Sequence, residues 1–174
     1  TGLLSTTKLD IHLKGAPAHP TMSPHLGRNA LACACTTVSE LLGMARHGKG
    51  LGCINVGLMK AGECRNVIPV HATIQMEVRG ESDEINNFMV DQACRIVKGT
   101  ALAYDVQYEI EKVGEGGELR NDDELASLVA EVAKSVPSCH KVVERKKIGC
   151  SEDFTLLASR VRARGGKTEF FVVG

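Results

Sequence analysis

Between Lys8 and Lys14 every second side chain is apolar, with Leu9, Ile11 and Leu13 alternating against Lys8, Asp10, His12 and Lys14. A period of two marks a strand with one face buried and the other in water. Such a strand must find partners for its backbone and an apolar cover for its greasy face. Helical spacing follows: Leu31, Ala34, Cys35, Val38, Leu41, Leu42 and Ala45 recur at three and four from Asn29 to about Arg46, up to a turn studded with Gly48, Gly50 and Gly52. Ile54, Val56 and Leu58 alternate before a break at Lys60-Ala61-Gly62-Glu63. Ala72, Ile74, Met76 and Val78 then alternate against Thr73, Gln75, Glu77 and Arg79. Ser82 is placed to cap a second helix, with Asp83 and Glu84 in its first turn and Ile85, Phe88, Met89, Ala93, Ile96 and Val97 as its stripe. A fourth strand runs through Val106, Tyr108 and Ile110. The order βαββαβ predicts an α+β, ferredoxin-like fold: a four-stranded antiparallel sheet with two helices on one face.

A different organisation begins after Gly114-Glu115-Gly116-Gly117. A capped helix is expected from about Asp122 to Ser135, ended by Pro137. A strand-like stretch around Val142 and Val143 follows, then a polar turn at Gly149-Cys150-Ser151. A short helix carries Phe154, Leu157 and Val161, and a closing strand spans Phe170 to Val173. This αβαβ run is expected to be a fragment of a separate α/β domain, which divides the chain into residues 6–118 and 119–174.

Charge and composition exclude several classes of partner. Lys plus Arg equals Asp plus Glu at 21 each, so no net field draws the chain to nucleic acid or an acidic membrane. With four Phe, two Tyr and no Trp, the sheet lacks the aromatic platforms of an RNA binder. No apolar run is long enough for a membrane span or a secretory leader, and a soluble protein is expected. Seven cysteines, an odd number, with Cys33, Cys35 and Cys94 inside helical patterns, fit reduced thiols in a cytoplasmic protein better than a disulfide framework. Cys33 and Cys35 are two apart on a helix and point to different faces, so they do not form a zinc site, and the chain carries no self-sufficient metal motif.

Three stretches could carry chemistry. Gly15-Ala16-Pro17-Ala18-His19-Pro20 holds a histidine between prolines at the end of the first strand, where stiff φ angles limit its wandering; the plain alternative is a surface histidine. Gly62-Glu63-Cys64-Arg65-Asn66-Val67-Ile68-Pro69 delivers Asn66 just before a strand and would serve equally as a tight turn. Gly149-Cys150-Ser151-Glu152-Asp153-Phe154 is a polar turn that could also be an ordinary helix cap.

The first two motifs, with Arg79 ending the next strand, resemble the lid domain of the aminoacylase and carboxypeptidase superfamily of dinuclear-metal peptidases. The third resembles the Gly-Ser-Glu-Asp-Phe turn of its amidohydrolase branch. The resemblance covers essentially the whole chain and implies a lid and dimerisation domain followed by the start of a C-terminal catalytic segment. It implies hydrolysis of the amide of p-aminobenzoyl-glutamate or a related N-acyl amino acid or dipeptide. His19 would reach across a homodimer, formed through the edge of the lid sheet, to donate a hydrogen bond to the scissile carbonyl. Asn66 and Arg79 would bind the substrate carboxylate, and Glu152 and Asp153 would line the pocket. The two divalent ions of the family, zinc or manganese, would be held by residues outside these 174, as would the general base. A further implied partner is a second type of hydrolase subunit. The competing expectation is a carboxylate-sensing regulatory module without catalysis, since fold alone does not assign function.

Overall fold

The computed structural model describes residues 2–143 and 148–173. Its strands are β1 (Gly2–Leu3), β2 (Ser5–Lys14), β3 (Gly52–Ala61), β4 (His71–Gly80), β5 (Gln107–Gly116) and β6 (Leu119–Arg120). Its helices are α1 (Ala30–Gly43), α2 (Asp83–Tyr104), α3 (Asp123–Ser135) and α4 (Phe154–Ala163). The expected four-stranded antiparallel sheet is present in the order β3-β4-β2-β5, with α1 and α2 on one face. This is the ferredoxin-like arrangement, in which the first and third strands lie side by side at the centre.

Alternation decides which way each strand faces. Leu9, Ile11 and Leu13 of β2 and Ile74, Met76 and Val78 of β4 are buried beneath the helices, with Ile11 and Ile74 at 0% exposure. Cys33, Ala34 and Leu41 from α1 and Met89, Ala93 and Val97 from α2 complete this core. Each large side chain removed from water here contributes roughly 1.5–3 kcal/mol. Between the helices the buried hydroxyls of Thr37 and Thr100 meet at 2.7 Å, and both also bond to helix carbonyls, so neither polar group is stranded. Ser82 caps α2 through its side chain as its position suggested (3.3 Å to Ile85 N). Helix α1 stops at Gly43, short of Arg46, because Met44 turns to extended backbone.

The two edges of the sheet differ. β5 carries Glu109, Glu111, Lys112 and Glu115, charges that discourage another chain from adding to it. β3 carries one charge, Lys60, and exposes Leu58 and Met59. Beside it α1 exposes Leu31, Cys35 and Leu42, a stripe at helical spacing.

The rest of the chain departs from expectation. α3 is present, capped by Asp122, and α4 is present, but the strands expected around Val142–Val143 and at Phe170–Val173 are not formed. A strand needs a ladder. Here Thr168–Phe170 is instead held against Asn121 and Asp122, the Asn121 side chain bonding both the N–H (3.0 Å) and the carbonyl (2.8 Å) of Phe170. Phe171, Val172 and Val173 are exposed. The short β1–β6 pairing was not expected. It builds a second, smaller core from Leu3, Leu119 and Ala158 with Phe154 and Phe170 at its rim. No described helix is long and apolar enough to cross a membrane.

Hydrogen exchange should therefore be slowest for the amides of β2 and β4, paired on both sides over the core, and fastest for residues 136–143 and 164–173. Equal protection across these regions would contradict the packing described.

Candidate functional site

The residues with chemical potential gather at opposite ends of the sheet. The first end lies where β2 finishes at Lys14 and β4 begins at His71, which are paired in register. The loop leaving β2 is closed by a two-way bridge between Ala16 and Arg28 (3.0 and 2.9 Å). Gly15 is required there, since a Cβ would come within 1.9 Å of the Arg28 carbonyl oxygen. Arg28 forms an ion pair with Asp105, the left-handed residue (φ 54°) that ends α2. Asn29 then caps α1, accepting from Ala32 N at 2.9 Å. Both feet of the loop are thus tied to helices of the core.

Within that frame His19 is exposed, but its ring is oriented. Its Nδ1 accepts from the backbone N–H groups of Thr21 and Met22, each at 3.2 Å, and its carbonyl accepts from Ser23 N at 3.1 Å. An Nδ1 that accepts cannot carry the proton in the neutral ring, so Nε2 does. The imidazole presents an N–H donor outward. The neighbouring loop is that of Asn66, because Ile68 N donates to Ala18 O at 3.0 Å. Gly27 makes the fit possible: a Cβ there would lie 2.3 Å from the Ile68 side chain. His19 and Asn66 therefore share one end of the sheet, both exposed.

Arg79 lies at the other end. Its Cα partners are Thr6 of β2 and Cys53 of β3, and at about 3.3 Å per residue it is roughly 26 Å along β4 from His71. One chain does not bring Asn66 and Arg79 together. Arg79 sits on the face of the sheet away from α1 and α2, where its Nε donates to the Glu77 carboxylate and its Nη1 to the Gly149 carbonyl (3.3 Å). The hydrogen bond to Glu77 is the foremost cause that holds the guanidinium pKa above its ordinary value, against the opposing effect of burial. The Gly149 contact brings the turn before α4, and with it Glu152 and Asp153, to the Arg79 end. Both are exposed, and Asp153 makes no side-chain cap bond; Thr155 closes the turn instead, its N–H and hydroxyl both donating to Glu152 O (3.1 and 2.9 Å).

Two features of these ends are not singled out by the sequence motifs. One is the Arg28–Asp105 clamp, a pairing over 77 positions that no local pattern announces. The other is Glu77. Opposite charges two apart on a strand share a face, so Glu77-Val78-Arg79 held that signal. Among the described residues no group of three or more His, Cys, Asp or Glu is placed to hold a metal ion.

Residues 2–104 match the model of the peptidase dimerisation domain. The chain belongs to the M20 peptidase and amidohydrolase family. It is 50% identical over 171 residues to a Haemophilus influenzae homologue of the p-aminobenzoyl-glutamate hydrolase A-subunit, covering 98% of this chain and 40% of that protein. It is 34% identical to the p-aminobenzoyl-glutamate hydrolase A-subunit of Escherichia coli, covering 98% of this chain and 39% of that one. The solved aminobenzoyl-glutamate utilization protein from Klebsiella pneumoniae superposes with a TM-score of 0.87 at 36% identity, covering 95% of this chain and 42% of the other. The chain thus spans about two-fifths of the length of these relatives.

The His19 geometry makes a spectroscopic prediction. In the neutral state, nitrogen-detected NMR of the imidazole should show the Nε2–H tautomer predominating at His19. A ring protonated at Nδ1 would show that the Thr21 and Met22 contacts are not made.

Proposed function

We propose that residues 6–118 form the lid and dimerisation domain, and residues 119–174 part of the catalytic domain, of a longer hydrolase that cleaves p-aminobenzoyl-glutamate or a related N-acyl amino acid. Support for this substrate class comes from the 50% identical relative and from the presence of a histidine donor and an arginine at the two ends of the lid sheet. The observation that carries the proposal is the separation of those ends. Around a two-fold axis, β3 pairs antiparallel with its own copy, so the Ala61 end of one protomer meets the Gly52 end of the other. Asn66 and His19 of one copy then approach Arg79 of its partner. The lightly charged β3 edge and the exposed Leu31, Cys35 and Leu42 of α1 favour such a homodimer, while the charged β5 edge opposes pairing on the other side.

Each residue has a job that its chemistry fits. Arg79 binds the free carboxylate of the substrate through guanidinium N–H groups not engaged by Glu77 and Gly149, assisted by the amide of Asn66 from the partner. His19 of the partner donates its Nε2–H to the oxygen of the scissile carbonyl, where negative charge develops; one such donor is worth roughly 2.7–4 kcal/mol of transition-state stabilisation. Glu152 and Asp153 line the Arg79 side of the cleft. The divalent ions, zinc or manganese, that activate water in this reading belong to residues of the longer enzyme outside this chain. The relatives named as A-subunits prompt a place for a second type of hydrolase chain, and seven free thiols fit a reducing cytoplasm. A purely carboxylate-sensing module is disfavoured, because the relatives at 50% and 34% identity are named as hydrolase subunits.

The test is steady-state hydrolysis of p-aminobenzoyl-glutamate by the full-length enzyme with added divalent metal. His19→Ala should lower kcat by about 100- to 1000-fold. Arg79→Ala should raise KM by about 10- to 100-fold, the worth of hydrogen bonds to a charged partner. The 174-residue chain alone should show no turnover. Wild-type kinetics in both variants, or turnover by the isolated chain, would overturn the proposal.

A further inference from the structure

We infer that Glu77 is a positioning residue for substrate recognition: it fixes the plane of the Arg79 guanidinium so that its remaining N–H edge meets the substrate carboxylate. This rests on the assignment of Arg79 as the carboxylate ligand and adds to it a residue that touches no substrate. The geometry is specific. Glu77 and Arg79 lie two apart on β4 and so share the open face of the sheet, away from the helical core. Glu77 accepts from Nε, the only guanidinium nitrogen bonded to the side-chain stem, and the Gly149 carbonyl accepts from Nη1. Two acceptors on two different nitrogens fix both the position and the rotation of a planar group, and Nη2 is the nitrogen bonded to neither of them.

Solvent does not dissolve this arrangement as it would a surface pair. The side chains of Arg79 and Glu77 are 30% and 28% exposed, less than either member of the lid ion pairs Arg28–Asp105 (38% and 78%) and Lys49–Glu84 (75% and 66%). Partial burial weakens screening and reduces the number of alternative rotamers. The raised pKa of Arg79 has the hydrogen bond to Glu77 as its foremost cause, in keeping with a tight pairing. A long arginine side chain left alone on an open sheet face would lose rotamer entropy when it binds a carboxylate. Held by Glu77, it has lost much of that freedom beforehand. The Gly149 contact gives the arrangement a second consequence: the same guanidinium joins the lid sheet to the turn before α4, so the carboxylate site and the 149–153 turn are positioned together.

The experiment uses the full-length enzyme with Glu77→Ala, Glu77→Gln and Arg79→Ala, assayed on p-aminobenzoyl-glutamate and on its analogue in which the α-carboxylate is a carboxamide. Glu77→Ala should raise KM for the carboxylate substrate by about three- to tenfold, leave kcat within about twofold, and leave the kinetics on the carboxamide unchanged. Glu77→Gln keeps an oxygen that accepts from Nε, and should restore KM to within about twofold of wild type. Unchanged or lowered KM in Glu77→Ala, with KM raised in Arg79→Ala, would overturn the role of Glu77 alone. A Gln variant as impaired as the Ala variant would also overturn it, since charge and not orientation would then be at work. Loss of activity on the carboxamide in Glu77→Ala would show a structural defect and reject the positioning role. If Arg79→Ala itself leaves KM unchanged, the carboxylate assignment of Arg79 fails first.

Discussion

The structure depends on the unbroken ten-residue register between β2 and β4, from Ser5 opposite Gly80 to Lys14 opposite His71. This central ladder aligns the apolar alternation of both strands on one face, so that Leu9, Ile11, Leu13, Ile74, Met76 and Val78 form a single floor for α1 and α2. A slip of one residue would turn every one of those side chains to solvent. Because the ladder is stiff and buried, it also acts as a ruler. It holds the His19 and Asn66 loops at one end and Arg79 at the other, about 26 Å apart.

That separation links packing to function. Loop residues gain precision only from what they are tied to, and both loops at the first end are tied to the core and to each other: Ala16 to Arg28, Arg28 to Asp105, and Ala18 to Ile68. The imidazole of His19 is aimed by backbone N–H groups, so in the proposed function its donor is prepared before any substrate arrives. At the far end Arg79 is held by Glu77 and Gly149. Each end is organised and neither is a complete site. In the proposed function a second copy, paired along the lightly charged β3 edge, completes both at once.

Much of this was legible in the sequence. The four strands and two helices of the lid follow from alternation and helical spacing, since each element buries one face and the pattern records which. His19, Asn66 and Arg79 stood out through a family resemblance, and Ser82 and Asp122 as helix caps through local chemistry. The distance between Asn66 and Arg79 is implicit in the strand between them, but a motif names residues without saying which end of a sheet each occupies. The two strands expected in the tail failed for a different reason. Apolar runs such as Phe170 to Val173 show only that burial or pairing is wanted, and among the described residues Asn121 holds Phe170 by its side chain with no ladder formed. The β1–β6 pair, two residues long on each side, is too short for any periodicity to announce.

The central claim, that one catalytic site draws on opposite ends of two lid sheets, is tested most directly by complementation between protomers of the full-length enzyme. Inactive His19→Ala and weakly binding Arg79→Ala proteins are mixed, dissociated and allowed to reassociate, and activity at low substrate is measured. In a mixed dimer one site receives intact Arg79 from the first variant and intact His19 from the second, so activity should return to about a quarter of wild type in a random mixture. If the mixture is no more active than the sum of its parts, His19 and Arg79 serve the same chain, and the account of a shared site is wrong.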